Sequence, residues 1–249
     1  MNTRVSTTVI CSVYSQDPHK LALLRGHMEN LDKQSIPVDR IYVFEQGDQP
    51  PEWLSGTHVS VSRATTIYEA WNLAILLSKS PFIMNLNLDD RLNSDAISLM
   101  QAMKSVDEVK IVAGDWEIKF SQAECDQTSV CGNPAGIKVR DSWPPENRGE
   151  RLLLGSGLSR PGTLGPATLW RREVHDHIGA YPYQDRAGSR ERITCDLWFW
   201  RAIERAYGSG AVARLPFLIG NYHSNPAFQA EFRADADSGV VALVSERNL

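Results

Sequence analysis

The 249-residue sequence lacks the features of disulfide-rich, fibrous and membrane-spanning proteins. It contains 4 cysteines, too few for a disulfide scaffold, and no apolar run approaches the roughly 20 residues needed to cross a bilayer. It has no internal repeat, no low-complexity stretch, and no apolar leader followed by a small-residue cleavage site. These absences predict a globular protein with free thiols, which we expect to be cytoplasmic.

The chain also lacks the excess of positive charge that is typical of nucleic-acid binders. It carries 26 Lys and Arg residues against 30 Asp and Glu residues, a formal net charge of −4. A mildly acidic chain is a poor general partner for a polyanion, so we expect no nucleic-acid partner. The hydrophobic content of 42% and the charged content of 22% are ordinary for a globular domain with a sizeable core.

The first third of the chain alternates short apolar runs with helix-like segments. Strands are predicted at 7–14, 40–44, 58–61 and 81–88, with helices starting at Pro18 and Thr66. Strands separated by helices of this length favour an α/β fold with a mostly parallel sheet and helices on both faces. Later patterns predict further elements, with a loop-rich stretch over 121–165, a strand and helix within 168–178, a helix at 195–207 and a strand at 212–219.

Polar clusters follow the predicted strands at the points where they end. These clusters are 15–17, 45–48 and 87–90. The carboxyl ends of parallel strands meet at one edge of a sheet, where α/β folds bind their ligands. The sequence therefore predicts one ligand site that gathers these three clusters.

The last of these clusters carries a family resemblance. The segment FIMNLNLDDRL at 82–92 resembles the strand-end aspartate motif of family-2 glycosyltransferases, which have the GT-A fold. Further segments resemble that family in the same order, over roughly residues 5 to 226. They are TTVICSVYSQD, RIYVFEQGD, IYEAWNLAI, GPATLWRREVHDHIGAYP, TCDLWFWRAIERAYG and NYHSNP.

The resemblance implies a fold and an activity. It implies a single GT-A-like domain over 1–225, with a nucleotide-sugar half to about 115, an acceptor-side half to 225, and a tail at 226–249. It implies an inverting transfer of a sugar from a nucleoside diphosphate, habitually UDP in the family, to a hydroxyl acceptor. The family's setting is polysaccharide biosynthesis, so the acceptor would be a saccharide or lipid-linked saccharide, reached at the inner face of a membrane.

The resemblance also implies the residues of the site. A divalent Mg²⁺ or Mn²⁺ is a hard cation suited to carboxylate and phosphate oxygens. By resemblance, the ligands of this cation would be Asp89, Asp90 and His223. The nucleotide sugar would be bound by Tyr14, Asp17, Glu45, Arg63, Asn72 and Asn87.

Two departures from the family pattern affect these assignments. The first aspartate of the metal motif is Asn87 here, which can hydrogen-bond a ribose hydroxyl but brings no charge. The family often places Glu-Asp shortly before the Asp-Leu-Trp element, where this chain has Ile193 and Thr194. The general base would then be Asp196 or, failing that, Glu191.

Other interpretations of these residues stay open. Asp89 and Asp90 are also typical of a helix cap, and an acidic residue such as Asp196 is favoured in the first turn of any helix. A lone histidine such as His223 is often structural. For the whole chain, the alternatives are a catalytically silent nucleotide-sugar-binding module and a nucleotidyltransferase. The latter normally needs a glycine-rich loop after the first strand, which is missing here.

Overall fold

The computed structural model describes residues 7–13, 18–103, 106–140, 149–154, 164–181 and 195–224. The strands in these ranges are β1 (Thr7–Val13), β2 (Asp39–Phe44), β3 (Thr57–Ser60), β4 (Phe82–Asn85), β5 (Arg91–Leu92), β6 (Ile111–Lys119), β7 (Lys138–Val139), β8 (Leu152–Leu153), β9 (Leu169–Arg171) and β10 (Val212–His223). The helices are α1 (Pro18–Asp32), α2 (Ile67–Leu77), α3 (Ala96–Ala102), α4 (Gln122–Cys125), α5 (Val174–Ile178) and α6 (Cys195–Tyr207).

The described strands form one mixed sheet in the order β3-β2-β1-β4-β9-β6-β10-β5, and β8 pairs with both β6 and β7 beside this path. Strands β1, β2, β3 and β4 are mutually parallel, and β6 is parallel to β10. Strand β9 is antiparallel to both β4 and β6, so all six longer strands point the same way. The predicted α/β class with a mostly parallel sheet is confirmed, and the carboxyl ends of these strands lie at one edge.

Apolar side chains of β1 divide between the two faces of the sheet. Ile10 packs in a cluster with residues of α2 and α6, such as Trp71 and Phe199. Val9 faces the opposite cluster, which includes Ile97 of α3. A strand covered on both faces must be apolar throughout, which explains its continuous hydrophobic run. Among the described residues, no helix has the length and apolar character needed to cross a membrane.

Helix α2 begins where the sequence predicts. Thr66 is its N-cap and forms a reciprocal capping box with Glu69, which satisfies backbone donors at the helix start. The helical spacing of Ile67, Trp71, Ala74 and Leu77 predicts that they face the core. Trp71 and Ala74 are buried, but the prediction is wrong for Leu77, the last residue of the helix, which is 42% exposed.

The later elements match the sequence patterns closely. Helix α6 has the predicted bounds, and Gly208 follows it with a φ of 87°, a backbone conformation that glycine adopts without strain. Strand β10 is longer than predicted and continues to His223. At Gly220 a side chain would meet the Arg91 carbonyl and the Trp116 ring, so glycine is needed where β5 joins β10.

His27 of α1 is buried against Tyr42 of β2, and its burial predicts that the stability of the fold depends on pH. Its Nδ1 lies 3.3 Å from the Tyr42 hydroxyl. Burial, assisted by the charge of Arg91, lowers the pKa of His27 to about 3. An exposed histidine in the unfolded chain titrates near about 6.5. Between these two values the unfolded chain binds a proton that the folded chain does not, so stability falls as the pH drops below about 6.5.

Replacing this histidine should therefore remove a pH dependence. Between pH 7 and pH 5 we expect wild type to lose about 2 kcal/mol more free energy of unfolding than His27→Gln. Urea unfolding at both pH values measures this difference. His58→Gln, on the exposed surface of β3, should keep the wild-type dependence. An unchanged dependence in His27→Gln would contradict the assigned pKa.

Candidate active site

The candidate site is built on the loop between β4 and β5. Exposed and buried side chains alternate along this loop, with Asn87 and Asp89 partly exposed and Leu88 and Asp90 buried. The Asp89 side chain is 39% exposed, whereas Asp90 is 1% exposed. Two adjacent aspartates thus have different surroundings, and Asp89 is the one that a ligand can reach.

The end of β10 closes against this loop from a position 133 residues later in the chain. His223 Nδ1 lies 3.4 Å from Asp89 Oδ2, and the His223 backbone N–H donates to Asp90 Oδ1 at 3.1 Å. The Asn87 amide donates to the other oxygen of Asp90 at 3.4 Å. The structure therefore brings together Asn87, Asp89, Asp90 and His223, which the sequence placed in two separate motifs.

Asp90 is buried under the loop and links it to β10 by hydrogen bonds. Burial raises the pKa of Asp90 well above its usual range, and the charge of Asp89 adds to this effect. The His223 N–H and the positive charge of Arg91 oppose the rise. Both carboxylate oxygens have hydrogen-bond partners inside the protein, so Asp90 links the loop to β10, and its metal contact stays a prediction.

A buried arginine fixes the backbone of the same loop. Arg91 is 2% exposed, and its Nη1 donates to the carbonyls of Leu88 at 2.6 Å and Asp90 at 2.8 Å. Its Nε donates to the Asp126 carboxylate at 2.7 Å. On helix α1, Gly26 leaves room for the guanidinium, because a Cβ there would overlap it. The guanidinium of Arg91 therefore fixes the loop backbone on both sides of Asp89.

Short helix α4 holds the loop from another side. The Asp89 carbonyl accepts hydrogen bonds from Gln122 Nε2 at 3.1 Å and from Cys125 Sγ at 3.2 Å. Burial, with a contribution from Asp90, raises the pKa of the Cys125 thiol, so this thiol stays protonated and donates. Cys125 is one of the free cysteines of the described residues, in agreement with the sequence analysis.

Glu45 and Arg63 form a second group, at the junction of β2 and α2. Glu45 is 2% exposed, and its Oε2 accepts from the Thr65 N–H at 2.7 Å. Its Oε1 is buried with no hydrogen-bond partner among the described residues. The Arg63 backbone carbonyl pairs with the N–H of Gln46 in the turn, while its guanidinium donates to Glu69 at 2.8 Å. The side chain of Arg63 remains largely exposed.

Asn72 and Asp196 form a third group, around Tyr181. The Asn72 amide donates to the Tyr181 carbonyl at 3.0 Å and accepts from its N–H at 2.8 Å. This double pairing joins α2 to the segment after α5 and engages both polar atoms of the Asn72 amide, and the ligand role of Asn72 stays a prediction. Asp196 lies in the first turn of α6. Burial, and then the charge of Asp196, raise the pKa of Tyr181 well above its usual range.

Three expected site residues lie outside the described part of the chain. They are Tyr14, Asp17 and Glu191. The two tryptophans of α6 lie in the described part. Residues two apart on a helix face different sides, and accordingly Trp200 is buried while Trp198 is 44% exposed.

Asp89 of the loop and His223 of β10 are the side chains that could hold a divalent cation, provided that further ligands come from outside the protein. The described residues contain no group of three His, Cys, Asp or Glu side chains arranged for a metal. Asp89 and His223 supply one carboxylate and one imidazole that face each other, and carboxylate oxygen and imidazole nitrogen are both ligands that Mn²⁺ accepts. The remaining positions would be filled by phosphate oxygens and water.

Sequence reasoning missed the residues that hold the loop. Arg91 directly follows the two aspartates, and a charged residue in such a polar cluster gives no sign in sequence that it is buried. Gln122 and Cys125 gave no usable signal, because their helix is only 4 residues long and lies in a polar stretch. Their contacts with Asp89 span 33 and 36 positions, which no local pattern encodes.

No protein-family model matches this sequence, and no curated protein matches it significantly. Solved structures do match its fold. TarS from S. aureus in complex with UDP matches with a TM-score of 0.56 and 15% identity, over 98% of this chain and 67% of that one. Mannosyltransferase PcManGT from Pyrobaculum calidifontis, in complex with GDP-Man and Mn²⁺, matches with a TM-score of 0.58 and 13% identity, over 93% and 61%.

A third match is TarS in complex with UDP-GlcNAc, with a TM-score of 0.54 and 15% identity, over 88% of this chain and 58% of that one. This chain therefore spans two thirds or less of the length of these structures. At such identities the similarity establishes the fold. The protein has the GT-A fold of these glycosyltransferases, and the fold expected from the sequence is confirmed.

Proposed function

We propose that this protein is a glycosyltransferase that moves a sugar from a nucleoside diphosphate to a hydroxyl acceptor. The observation that carries the proposal is the pairing of Asp89 with His223 at the carboxyl edge of the sheet, over a loop held by buried groups. The GT-A fold supports it, as do the matched structures that contain UDP, UDP-GlcNAc and GDP-Man.

In this proposal Asp89 and His223 bind Mg²⁺ or Mn²⁺ together with the donor diphosphate. The bound cation would stabilise the negative charge that develops on the leaving diphosphate. Asp90 keeps the His223 backbone and the Asn87 amide in place. The Asn87 NH2 group donates to Asp90, so the side-chain oxygen of Asn87 would accept a hydrogen bond from a ribose hydroxyl.

The nucleotide would extend from this loop toward the end of β2. The unpaired Oε1 of Glu45 is an acceptor that a ring N–H of uracil or guanine would satisfy. The exposed guanidinium of Arg63 can exchange Glu69 for a phosphate. Tyr14 and Asp17, which follow β1 in sequence, complete the proposed nucleotide site, with UDP as the leading candidate.

Asp196 is the proposed general base, with Glu191 as the second candidate. As the acceptor oxygen bonds to the anomeric carbon, its hydroxyl proton passes to the carboxylate, and the bond from that carbon to the diphosphate breaks. A single displacement of this kind inverts the anomeric configuration. Asp196 is half-buried in the first turn of α6, where its negative charge acts on the buried Tyr181.

A catalytically silent nucleotide-sugar-binding protein is the alternative. Asn87 favours it, because the loop then presents Asp89 as its one accessible carboxylate among the described residues. A protein of this kind would bind the donor without metal-dependent release of the nucleotide. A donor-hydrolysis assay therefore separates the two functions.

Thermal-shift titration with UDP, GDP and CDP, each with and without Mn²⁺, tests donor binding. A ligand that binds only the folded protein raises Tm. At a ligand concentration of 100 times Kd, the free energy of unfolding increases by about 2.7 kcal/mol. We expect one nucleotide to shift Tm in a metal-dependent manner. The absence of a shift with all three nucleotides would contradict a donor site.

Asp89→Asn tests the metal ligand with little change in shape. We expect the Mn²⁺-dependent part of the nucleotide Tm shift to disappear and turnover to fall at least about 100-fold, because the accessible charge is lost. Asp107→Asn, an exposed substitution outside the site, is the matched control. Wild-type turnover in Asp89→Asn would remove Asp89 from the metal site.

Asp196→Asn tests the base. A base acts on the acceptor, so we expect kcat to fall by about 10²–10⁴ while the affinity for the donor nucleotide stays within about twofold. Glu204→Gln, an exposed change on the same helix, should leave both unchanged. An equal loss of turnover and donor affinity, or no loss of either, would move the base to Glu191.

A further inference from the structure

Helix α4 is attached to both halves of the Asp89–His223 pair. On the loop side, the Asp89 carbonyl is the shared acceptor of Gln122 Nε2 and Cys125 Sγ, at 3.1 and 3.2 Å. A carbonyl with two donors has both of its lone pairs engaged, so the peptide that follows Asp89 is fixed in orientation. The Asp89 side chain leaves the backbone directly beside this fixed point.

On the strand side, the link runs through Asn221. Its amide donates to the carbonyls of Cys125 at 2.9 Å and Gln127 at 3.1 Å, and the Cys125 thiol lies 3.4 Å from the Asn221 carbonyl. Asn221 precedes His223 by two residues, so both side chains lie on the same face of β10. Helix α4 thus fixes the strand face that carries His223.

Cys125 is the residue common to both links. It is fully buried, and its thiol lies within hydrogen-bonding range of a carbonyl on the loop and a carbonyl on β10. Gln122 adds a second connection, because its amide also contacts the Asp126 carboxylate at 3.0 Å, and that carboxylate pairs with Arg91. The contacts of α4 therefore converge on the backbone that carries the proposed metal ligands.

We propose that Cys125 and Gln122 are positioning residues that set the separation of Asp89 and His223, and through it the affinity of the site for a divalent cation. This inference rests on the proposed function. A cation bound by only two protein side chains depends strongly on their mutual distance, because few other protein contacts can compensate for a displaced ligand. Partners that orient metal ligands typically change metal affinity about 10–100-fold when they are removed.

Cys125→Ala, Cys125→Ser and Gln122→Met test the proposal. The alanine variant removes the thiol donor, the serine variant keeps a hydroxyl that can donate to the same carbonyls, and the methionine variant keeps the length of Gln122 without its amide. Cys11→Ala is the matched control. Cys11 is a buried free cysteine whose thiol lies 3.7 Å from the Ser12 carbonyl, in strand β1.

The measurement is the apparent affinity for Mn²⁺, by water-proton relaxation, with UDP and in a parallel series with GDP. We expect Cys125→Ala and Gln122→Met to weaken Mn²⁺ binding at least about tenfold. Cys125→Ser should recover most of the loss, and Cys11→Ala should match wild type. A purely structural role for Cys125 would lower Tm alike in the alanine and serine variants without separating their Mn²⁺ affinities.

Two outcomes would overturn the inference, and they can be told apart. If wild type binds Mn²⁺ and both donor-deficient variants bind it equally well, α4 does not position the ligands, and the proposed function stands. If wild type binds no Mn²⁺ with either nucleotide, the metal site of the proposed function fails, and the inference fails with it. Hydrogen exchange of the 86–92 peptide in metal-free protein checks the geometry directly, and it should speed up in Cys125→Ala but not in Cys11→Ala.

Discussion

The buried guanidinium of Arg91 is the interaction on which the site depends. A cation that is 2% exposed must find partners inside the protein, since an uncompensated buried charge costs about 3–5 kcal/mol. Here the partners are the carbonyls of Leu88 and Asp90 and the carboxylate of Asp126. Satisfying the arginine therefore determines the backbone path on both sides of Asp89. The small size of Gly26 on α1 makes this burial possible.

The same constraint explains why two neighbouring aspartates have different surroundings. Of the two, Asp89 is partly exposed and Asp90 is buried, so only one of the pair is accessible to a ligand. Asp90 faces inward, where burial penalises its charge while the His223 N–H and the Arg91 cation stabilise it. Asp89 faces outward beside His223. One residue thus joins β10 to the loop, and the other remains accessible for a ligand.

The sequence predicted those parts of this arrangement that follow local rules. Periodicity predicted the bounds of α6 and the start of α2, and strand ends located the Asn87–Asp90 cluster. The contacts of Asn72 could not be predicted, because a polar residue on an apolar helix looks the same in sequence whether it contacts a ligand or a distant backbone. Its partner in the structure, Tyr181, is 109 positions away.

The positions of the supporting residues depend on the closed fold, and this is why sequence patterns could not locate them. Gly220 allows β5 to pair with β10 beside Trp116. This pairing brings the end of β10 close to the loop, so that His223 contacts Asp89. Within the proposed function, this geometry compensates for the charge lost at Asn87. A site with one accessible carboxylate binds a free cation weakly, but the diphosphate adds charge and ligands. Metal and nucleotide then strengthen each other's binding by the same factor, because coupling between two ligands is reciprocal.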